Sequence, residues 1–256
     1  MNFDILTLFP EMFDGYLRSS ILGRTIEQGL VRVRLTNIRD FARDKHRTCD
    51  DAPFGGGAGM LLKPEPLARA LDAVGGGERR TVYLTPSGRL FDQEYAEDLA
   101  GAESMILLCG HYEGIDQRIV DRYVSDEISV GNYVLFSGEV GAMVILDAVV
   151  RLLAGVIRHE SLEEESFAQG LLEYPQYTRP SVFRNAIVPD VLLSGHHERI
   201  RVWRIRKSLE KTRRLRPDLL ENAVLSEEQR EVLEEIEQKE KKNGSDKDSG
   251  ISSDKG

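Results

Sequence analysis

One stretch of the chain, Cys109 to Leu146, constrains the fold more than any other, because it contains two glycine-bearing loops that each follow a short apolar run. Ser104–Leu108 precedes the loop Gly110–Asp116, and Glu127–Val130 precedes the loop Gly131–Gly138. Apolar runs that are short, do not alternate and stop at glycine are typical of parallel strands covered on both faces. The sequence therefore predicts an α/β fold with a mainly parallel sheet.

These two loops are expected to line one crevice, because ligands of open α/β sheets bind just past the carboxyl ends of the strands. A third loop, Thr85–Gly88, follows the predicted strand Thr81–Leu84 and has proline and glycine where a tight turn needs them. Such loops expose backbone N–H and C=O groups that can bind a nucleoside. Tight turns alone would also explain the glycines, and the spacing does not separate the two interpretations.

The composition is that of a globular protein able to bury a full core. The 256 residues are 41% hydrophobic and 30% charged, and no apolar run approaches the roughly 20 residues that a membrane span needs. The first residues, Met1–Asp4, have no basic leader. The two cysteines, Cys49 and Cys109, are too few for a disulfide framework. We therefore expect a cytoplasmic protein with no membrane partner.

The charges are unevenly distributed along the chain. Net charge is −9, which argues against tight binding to any polyanion. Residues 198–216 nevertheless hold nine Lys or Arg against two Glu, and residues 32–47 hold six against two Asp. Residues 226–256 hold ten acidic and six basic groups. Local patches decide where an anion binds, so a shape-dependent contact with RNA is compatible with the total.

The sequence changes near residue 158 from alternating strand and helix patterns to a polar, acidic stretch, which predicts two domains. Residues 1–158 form the α/β domain, and residues 159–172, with four glutamates before Ser166, form a linker. Residues 173–242 form a small C-terminal helical domain, and the polar residues 243–256 form a disordered tail. One side of a predicted helix has a row of cations that is either a solvated face or a contact for RNA phosphates: Arg204, Lys207, Lys211 and Arg214.

Several familiar catalytic motifs are absent from the sequence. It has no phosphate loop, no dinucleotide fingerprint and no nucleophile elbow, and its histidines and cysteines have no metal-ligand spacing. Near the predicted crevice the polar residues that remain are Glu113, Asp116, Glu139, Arg151 and Glu165. On residue type and position alone, Glu113 is a surface carboxylate, Arg151 is a cation meeting a helix dipole, and Glu165 belongs to a solvated acidic run.

A series of short motifs runs through residues 1–225 in a fixed order. It comprises Phe9–Phe13, Arg39–Phe41, His46–Thr48 with Asp50 and Asp51, Gly55–Gly57 with Gly59, Gly110 with Tyr112–Asp116, Gly131 with Tyr133–Leu135, Ser166–Ala168 with Gly170–Leu172, Tyr177–Pro180, and Pro189 with Val191–Gly195. The series resembles that of the bacterial tRNA (guanine-37-N1)-methyltransferases, members of the knotted SPOUT superfamily of RNA methyltransferases.

The resemblance implies a fold, an activity and partners. The expected fold contains a deep trefoil knot in the α/β domain, which is a rare exception to unknotted topology. The expected protein is a homodimer whose C-terminal helical domain closes on tRNA. Its expected activity is methylation of N1 of guanosine 37, next to the anticodon, with S-adenosyl-L-methionine as cofactor. A requirement for Mg²⁺ stays open, because the sequence shows no dedicated metal site.

The resemblance also implies roles for individual residues. Arg151 is expected to face the guanine, and Glu165 stands where the family has an aspartate, its proposed general base. Asp50 lies in a loop that favours tRNA as substrate and is a candidate RNA contact, like the cations of the predicted helix. The cofactor-binding candidates are Pro86, Gly110, Glu113, Val130, Gly131, Asn132, Tyr133, Val134 and Leu135.

Two other functions are compatible with the sequence. Glutamate at position 165 would permit a non-catalytic RNA-binding protein that kept the fold and lost the chemistry. A related knotted methyltransferase acting on ribosomal RNA is the second alternative. Further departures from the family pattern are His111, Asn132 and the pair Phe136–Ser137. The matching cofactor loops and Arg151 favour an enzyme over a binding protein.

Overall fold

The structure, a computed structural model, describes residues 1–157, 165–167 and 170–248. The chain divides into two compact units, Met1–Arg158 and His159–Gly256. Residues 159–164 and 168–169 of the predicted linker, together with residues 249–256 of the predicted tail, lie outside the described residues.

The first unit alternates strands and helices. Its described strands are β1 (Asn2–Thr7), β2 (Arg32–Asn37), β3 (Asp50–Asp51), β4 (Leu61–Leu62), β5 (Arg80–Leu90), β6 (Ser104–Cys109) and β7 (Asp126–Ser129). Its described helices are α1 (Asp14–Leu17), α2 (Ser20–Glu27), α3 (Pro64–Ala73), α4 (Gln93–Ala100), α5 (Gln117–Tyr123) and α6 (Gly138–Val150). Short 3-10 helices cover Pro10–Phe13 and Ile38–Phe41.

A five-stranded sheet with the order β2-β1-β6-β5-β7 forms the centre of this unit. Every pairing between its neighbouring strands is parallel; in the register, Ile5 of β1 lies between Leu35 of β2 and Leu107 of β6. The predicted α/β fold with a mainly parallel sheet is therefore confirmed. The strands β3 and β4 pair with each other as a separate antiparallel ribbon.

Helices cover both faces of the sheet, which explains why its strands read as continuous apolar runs. On β6, Met105 and Leu107 belong to one buried cluster, together with side chains of α4 and α6. Ile106 and Leu108 point to the other face and belong to a second cluster, with side chains of α3 and α5. Successive strand residues point to opposite faces, so each half of the run fills a different core.

Strand β5 differs from the expectation that it ends at Leu84. It continues to Leu90, and its register against β7 shifts between Leu84 and Arg89. The segment Thr85–Gly88 is therefore an irregularity within a strand rather than a turn that ends one. Glycine at position 88 lets β5 pair with β7 again after the irregularity, because a Cβ there would lie 2.4 Å from backbone atoms of β7.

An ion-pair group fixes α4 to the edge strand β7. Arg80 Nε donates to Asp126 Oδ2 at 2.8 Å, and the Tyr95 hydroxyl donates to Asp126 Oδ1 at 2.7 Å. The bonded Arg80 lowers the pKa of Asp126, whereas burial and then Asp126 raise the pKa of Tyr95 to about 12. Asp92 caps the start of α4, because its Oδ1 accepts from the Tyr95 N–H at 2.9 Å.

The second unit is mainly helical. Its described elements are β8 (Val182–Phe183), β9 (Ala186–Ile187), α7 (Asp190–Leu193), α8 (His197–Leu215), α9 (Pro217–Asn222) and α10 (Glu227–Asp248). A small core joins α8 and α10 with the segment before β8, through Leu171, Leu209, Val232 and Ile236. Because Leu171 is part of this core, the end of the predicted linker belongs to the second unit.

The last helix is longer than expected. It begins with a capping box: Ser226 N–H donates to Gln229 Oε1 at 2.8 Å, and Gln229 N–H donates to Ser226 Oγ at 3.2 Å. The helix then continues to Asp248, although the composition predicts disorder from Asn243. Extending a nucleated helix costs little per residue, so polar composition alone marks its end poorly.

Candidate active site

A cavity of about 210 Å³ lies at the carboxyl edge of the sheet. It is bordered by the irregular part of β5, the loop after β6 and the loop after β7. Parallel strands end at one edge, so loops far apart in sequence meet there. Among the predicted cofactor-binding residues, those that line the cavity are Pro86, Gly110, Glu113, Val130, Tyr133, Val134 and Leu135.

The two remaining candidates, Gly131 and Asn132, shape the loop after β7 instead of lining the cavity. The Gly131 carbonyl accepts from Ser129 Oγ at 2.9 Å and from the Tyr133 N–H at 2.8 Å. The Tyr133 hydroxyl donates a hydrogen bond to the Val130 carbonyl at 3.1 Å. These bonds fold the loop on itself, and Asn132 is exposed on its outside.

Close approach of neighbouring atoms, and not only turn geometry, requires glycine at two positions of the cavity wall. Gly138 N–H donates to the Gly110 carbonyl at 2.8 Å. A Cβ on Gly138 would lie 2.6 Å from Gly110 N and 2.8 Å from Cys109 Cα. A Cβ on Gly110 would lie 2.9 Å from Tyr83 Cε2. The start of α6 and the loop after β6 are therefore packed backbone against backbone.

Four aromatic residues that were not among the cofactor-binding candidates also line the cavity: Tyr83, His111, Tyr112 and Phe136. Tyr83 is buried, and this burial raises its pKa. The His111 ring lies 5.0 Å from the Phe9 ring and 4.6 Å from the Tyr112 ring, centroid to centroid. A tyrosine inside an apolar strand is predicted to be a core residue. That Tyr83 also borders the cavity becomes visible only in the folded structure.

The glycine-rich loop at residues 55–59 packs onto the loop after β6. A Cβ on Gly59 would lie 2.3 Å from Glu113 Cγ, so the Glu113 side chain lies directly on this glycine. Glu113 N–H also donates to the Met60 carbonyl at 3.0 Å, and Leu62 N–H donates to the Gly114 carbonyl at 3.0 Å. Two loops that the sequence separates by about fifty residues thus pack against each other.

Asp50 lies on the ribbon that holds this glycine-rich loop. It is half-buried on β3 and pairs with Leu62 of β4. The neighbouring Asp51 forms an ion pair with Lys63, with 3.6 Å between Oδ2 and Nζ. The ribbon brings Asp50 near the loop after β6 through its partner strand, although Asp50 does not line the cavity.

Beneath the cavity, Cys109 and Glu139 are buried together. Burial, followed by the charge of Glu139, raises the pKa of the Cys109 thiol well above its ordinary value. Glu139 is fully buried, and its Oε1 accepts from the Thr7 hydroxyl at 2.5 Å. A buried thiol with a raised pKa is a poor nucleophile, so Cys109 is a packing residue of the core next to the cavity residue Gly110.

Arg151 caps the carboxyl end of α6. Its N–H donates to the Asp147 carbonyl at 3.3 Å, and its side chain is half-buried. The Tyr16 hydroxyl donates to the Met143 carbonyl at 3.0 Å and to Asp147 Oδ1 at 3.2 Å. Burial and the charge of Asp147 raise the pKa of Tyr16. The end of α6 that presents Arg151 is therefore tied to the amino-terminal helices.

Glu165 belongs to the second unit and lines a cavity of about 350 Å³ there. Its neighbours in the wall include Tyr174 and Arg204, whose guanidinium lies 4.7 Å from the centroid of the Tyr174 ring. Arg204 thus stacks on an aromatic face inside the unit. Arg151 and Glu165, the two candidate catalytic residues, come from different units.

The predicted row of cations on α8 is not one uniform surface. Lys207 Nζ pairs with Glu210 Oε2 at 2.6 Å, and Lys211 Nζ donates to the Glu173 carbonyl at 2.9 Å. Together with the stacking of Arg204, these contacts commit three of the four cations to partners within the unit. Arg214 is exposed to solvent. A helical wheel shows the Lys207–Glu210 pair, which is three residues apart, but not the other two contacts, because Glu173 and Tyr174 precede the helix.

Neither a metal cluster nor a membrane span is found in the described part of the chain. Within it, no three His, Cys, Asp or Glu side chains form a group that could hold a metal ion. The helices of that part are each too short or too polar to cross a bilayer.

Comparison with known proteins identifies the family. A family model described as tRNA (Guanine-1)-methyltransferase TrmD matches residues 1–222. The chain is 55% identical over 241 residues to a tRNA (guanine-N(1)-)-methyltransferase of Treponema pallidum (strain Nichols), covering 93% of this chain and 96% of the relative. A protein of the same name from Brevibacillus brevis is 53% identical, covering 94% of this chain and 100% of the relative. The chain belongs to the tRNA (guanine-1)-methyltransferase family.

Proposed function

We propose that this protein transfers a methyl group from S-adenosyl-L-methionine to N1 of guanosine 37 in tRNA. The observation that carries the proposal is a family match over residues 1–222 together with a glycine-walled cavity at the carboxyl edge of the sheet. The relatives are named for methylation of tRNA guanine at N1. Position 37 follows from the resemblance of the sequence motifs.

The residues of the cavity fit S-adenosyl-L-methionine. Leu84, Val130 and Leu135 give it an apolar side, and the glycine-bearing loops expose backbone donors and acceptors for adenine and ribose. Glu113 supplies a carboxylate for the cationic part of the molecule. The cavity also needs its glycines, because a Cβ on Gly110 or Gly138 would collide with atoms of the wall.

The proposed chemistry divides between two side chains of this protein. Bound S-adenosyl-L-methionine supplies an activated methyl group. Guanine N1 carries a proton and is a weak nucleophile until that proton leaves, and Glu165 is the proposed base that accepts it. Negative charge then grows toward guanine O6, where Arg151 is the proposed cation that stabilises it. The loops contribute by fixing the alignment of the two reactants.

We extend the proposal to a homodimer. Helix α6 is apolar around most of its circumference: Ile145, Leu146 and Val149 are buried in the core, while Val140 is 45% and Val144 44% exposed. A helix that is apolar on all sides is normally covered on all sides. A second copy of the chain is the proposed cover.

The family resemblance also supports proposals about the topology of the chain and about where in the cell the protein is located. We propose a deep trefoil knot that includes the close contact between Gly138 and Gly110. Cytoplasmic localisation is supported by the tRNA substrate and by two buried cysteines that form no disulfide. The proposed RNA contacts are Asp50 and the cations of α8, of which Arg214 is exposed.

Mass spectrometry of modified tRNA tests the proposal. The full-length protein is incubated with S-adenosyl-L-methionine and a tRNA transcript that has G37, and the RNA is digested and analysed. We expect 1-methylguanosine at position 37, and none in a transcript with adenosine at that position. Adding EDTA tests the need for Mg²⁺. Binding without methylation would support a non-catalytic RNA-binding protein, and methylation of ribosomal RNA in place of tRNA would support the other alternative.

A further inference from the structure

Residues 182–187 form a small antiparallel ribbon in the second unit. Val182 pairs with Ile187 and Phe183 pairs with Ala186, which leaves Arg184 and Asn185 as the turn. Both turn residues are left-handed, with φ of 48° and 68°. This is a type I′ turn, which usually takes Asn-Gly because arginine disfavours the left-handed region. An arginine held in that conformation points to a role for its side chain at the tip.

The ribbon exposes apolar side chains on both faces. Val182 is 54%, Phe183 61% and Ile187 66% exposed. Val182 and Ile187 lie opposite each other on one face, and Phe183 lies on the other face, since adjacent residues alternate. A two-stranded ribbon is marginally stable by itself, so exposure on both faces indicates a surface that meets a partner.

Charge favours an anionic partner for the face that includes the tip. The Arg184 guanidinium lies 5.3 Å from the centroid of the Phe183 ring. Residues 174–189 contain two arginines, Arg179 and Arg184, and no Asp or Glu, in a chain whose net charge is −9. An exposed aromatic ring beside a guanidinium is the combination that binds an unpaired base and its phosphate.

The helix predicted to bind RNA leaves little of its positive charge available for phosphates. Besides Lys207 and Lys211, several further arginines of α8 and its end are engaged by carboxylates of the same unit: Arg201 by Glu198 and Glu228, Arg206 by Glu235, and Arg216 by Asp218. Among the described residues, by contrast, Arg184 makes no ion pair and is exposed. The ribbon tip is thus a better placed cation for a nucleic-acid phosphate than most of α8.

We infer that Phe183 and Arg184 form a nucleotide-binding tip for tRNA, an inference that rests on the proposed function. Phe183 stacks on an unpaired base, and Arg184 contacts a neighbouring phosphate. Single-stranded loops of tRNA offer such bases, because RNA-binding proteins read splayed bases by stacking them on aromatic side chains. The tip thereby adds affinity for tRNA without touching the cofactor cavity.

Binding of a tRNA transcript to full-length variants, followed by fluorescence anisotropy over a range of salt concentrations, tests the inference. Phe183→Ala should weaken binding by about 5- to 100-fold with an unchanged salt slope, because a stacked base contributes affinity without displacing ions. Arg184→Ala should lower the slope of log affinity against log salt by about one, since one phosphate contact is lost. Phe183→Trp should bind like the unaltered protein.

Two controls use residues of the same unit. Ile187→Ala changes an equally exposed apolar residue on the opposite face of the ribbon, and Val224→Ala changes one that is 94% exposed outside it. Both should leave tRNA affinity within about twofold. Circular dichroism and the affinity for S-adenosyl-L-methionine should be unchanged in all variants, which separates loss of contact from loss of folding.

The outcomes separate this inference from the proposed function. If the unaltered protein methylates tRNA while Phe183→Ala and Arg184→Ala both bind it normally, the tip is not an RNA contact and the proposed function stands. If Phe183→Ala and Ile187→Ala instead lower the sedimenting mass equally, the ribbon contacts a second copy of the chain and the inference is wrong. Failure of the unaltered protein to bind or methylate tRNA would overturn both proposals.

Discussion

At the scale of single residues, the proposed chemistry depends most on Glu165. Glu165→Gln keeps the size and polarity of the side chain but cannot accept the N1 proton of guanine. We expect the rate of single-turnover methyl transfer to fall by about a hundredfold or more, with near-normal binding of tRNA and cofactor. Rapid-quench assays with limiting tRNA measure the chemical step directly, and equilibrium titrations measure the two affinities.

Two neighbouring substitutions act as controls for this prediction. Glu165→Asp restores the residue usual in the family and should retain substantial activity, since the carboxylate is kept. Glu164→Gln should transfer methyl groups at the rate of the unaltered protein. If Glu165→Gln keeps the full rate and Glu164→Gln loses it, the general base is Glu164 and not Glu165. Normal rates in both would mean that the proton leaves by another route.

Residue by residue, the sequence predicts the lining of the cavity better than it predicts the partners of the cations on α8. Most cofactor candidates line the cavity, because glycine and proline after a buried strand reveal the end of a parallel sheet. Lys211 shows the opposite case: its acceptor is the carbonyl of Glu173, 38 residues earlier, which no local pattern reveals. Charge periodicity identifies a cationic helix face but not the groups that already occupy it.

At the scale of elements, the contact between α6 and the loop after β6 holds the cavity together. Gly138→Ala would place a Cβ 2.6 Å from Gly110 N, an overlap with backbone that cannot move aside easily. We expect a loss of about 1–3 kcal/mol in the free energy of unfolding and weaker binding of S-adenosyl-L-methionine. Urea denaturation and isothermal titration calorimetry measure the two effects.

A second helical glycine gives the matched control for Gly138→Ala. Gly15 lies in α1, and a Cβ there would have no atom within 4 Å. Gly15→Ala should therefore leave the protein equally stable or stabilise it by about 0.5–1 kcal/mol, because alanine loses less backbone entropy on folding. Equal effects of the two substitutions would show that the close approach at Gly138 is not what requires glycine there.

Element boundaries are predicted less well than element types, for reasons visible in particular segments. Pro86 and Gly88 signal a turn after Leu84, yet β7 continues the ladder beyond the irregularity, so β5 extends to Leu90. Helix α10 continues past Asn243 because it starts from a capping box and is anchored by Val232 and Ile236. In both cases contacts with another segment override the local signal.

At the scale of the whole molecule, the apolar pattern of the sequence predicts the α/β class, but it does not predict whether two chains associate. Short apolar runs whose side chains fill both sides of a sheet, such as residues 105–109, are typical of this class. The exposed side of α6, with Val140 and Val144, is apolar in sequence and looks like core until its exposure is known. The proposed homodimer gives that side a cover and would let each active site draw residues from two chains.

Mixed dimers test whether the active site is shared. Arg151→Ala removes the proposed guanine contact, and Tyr133→Pro removes the N–H that donates to the Gly131 carbonyl at 2.8 Å, which should disrupt the cofactor loop. Each variant should be inactive alone. After the two variants are refolded together, the mixture should regain up to about a quarter of the activity of the unaltered protein. Half of the random dimers are mixed, and in each of these one of the two sites combines the intact cofactor loop of one chain with Arg151 of the other. Co-folding Arg151→Ala with a chain carrying both substitutions should restore nothing. An inactive mixture, or a monomeric mass in sedimentation at assay concentration, would contradict a shared site.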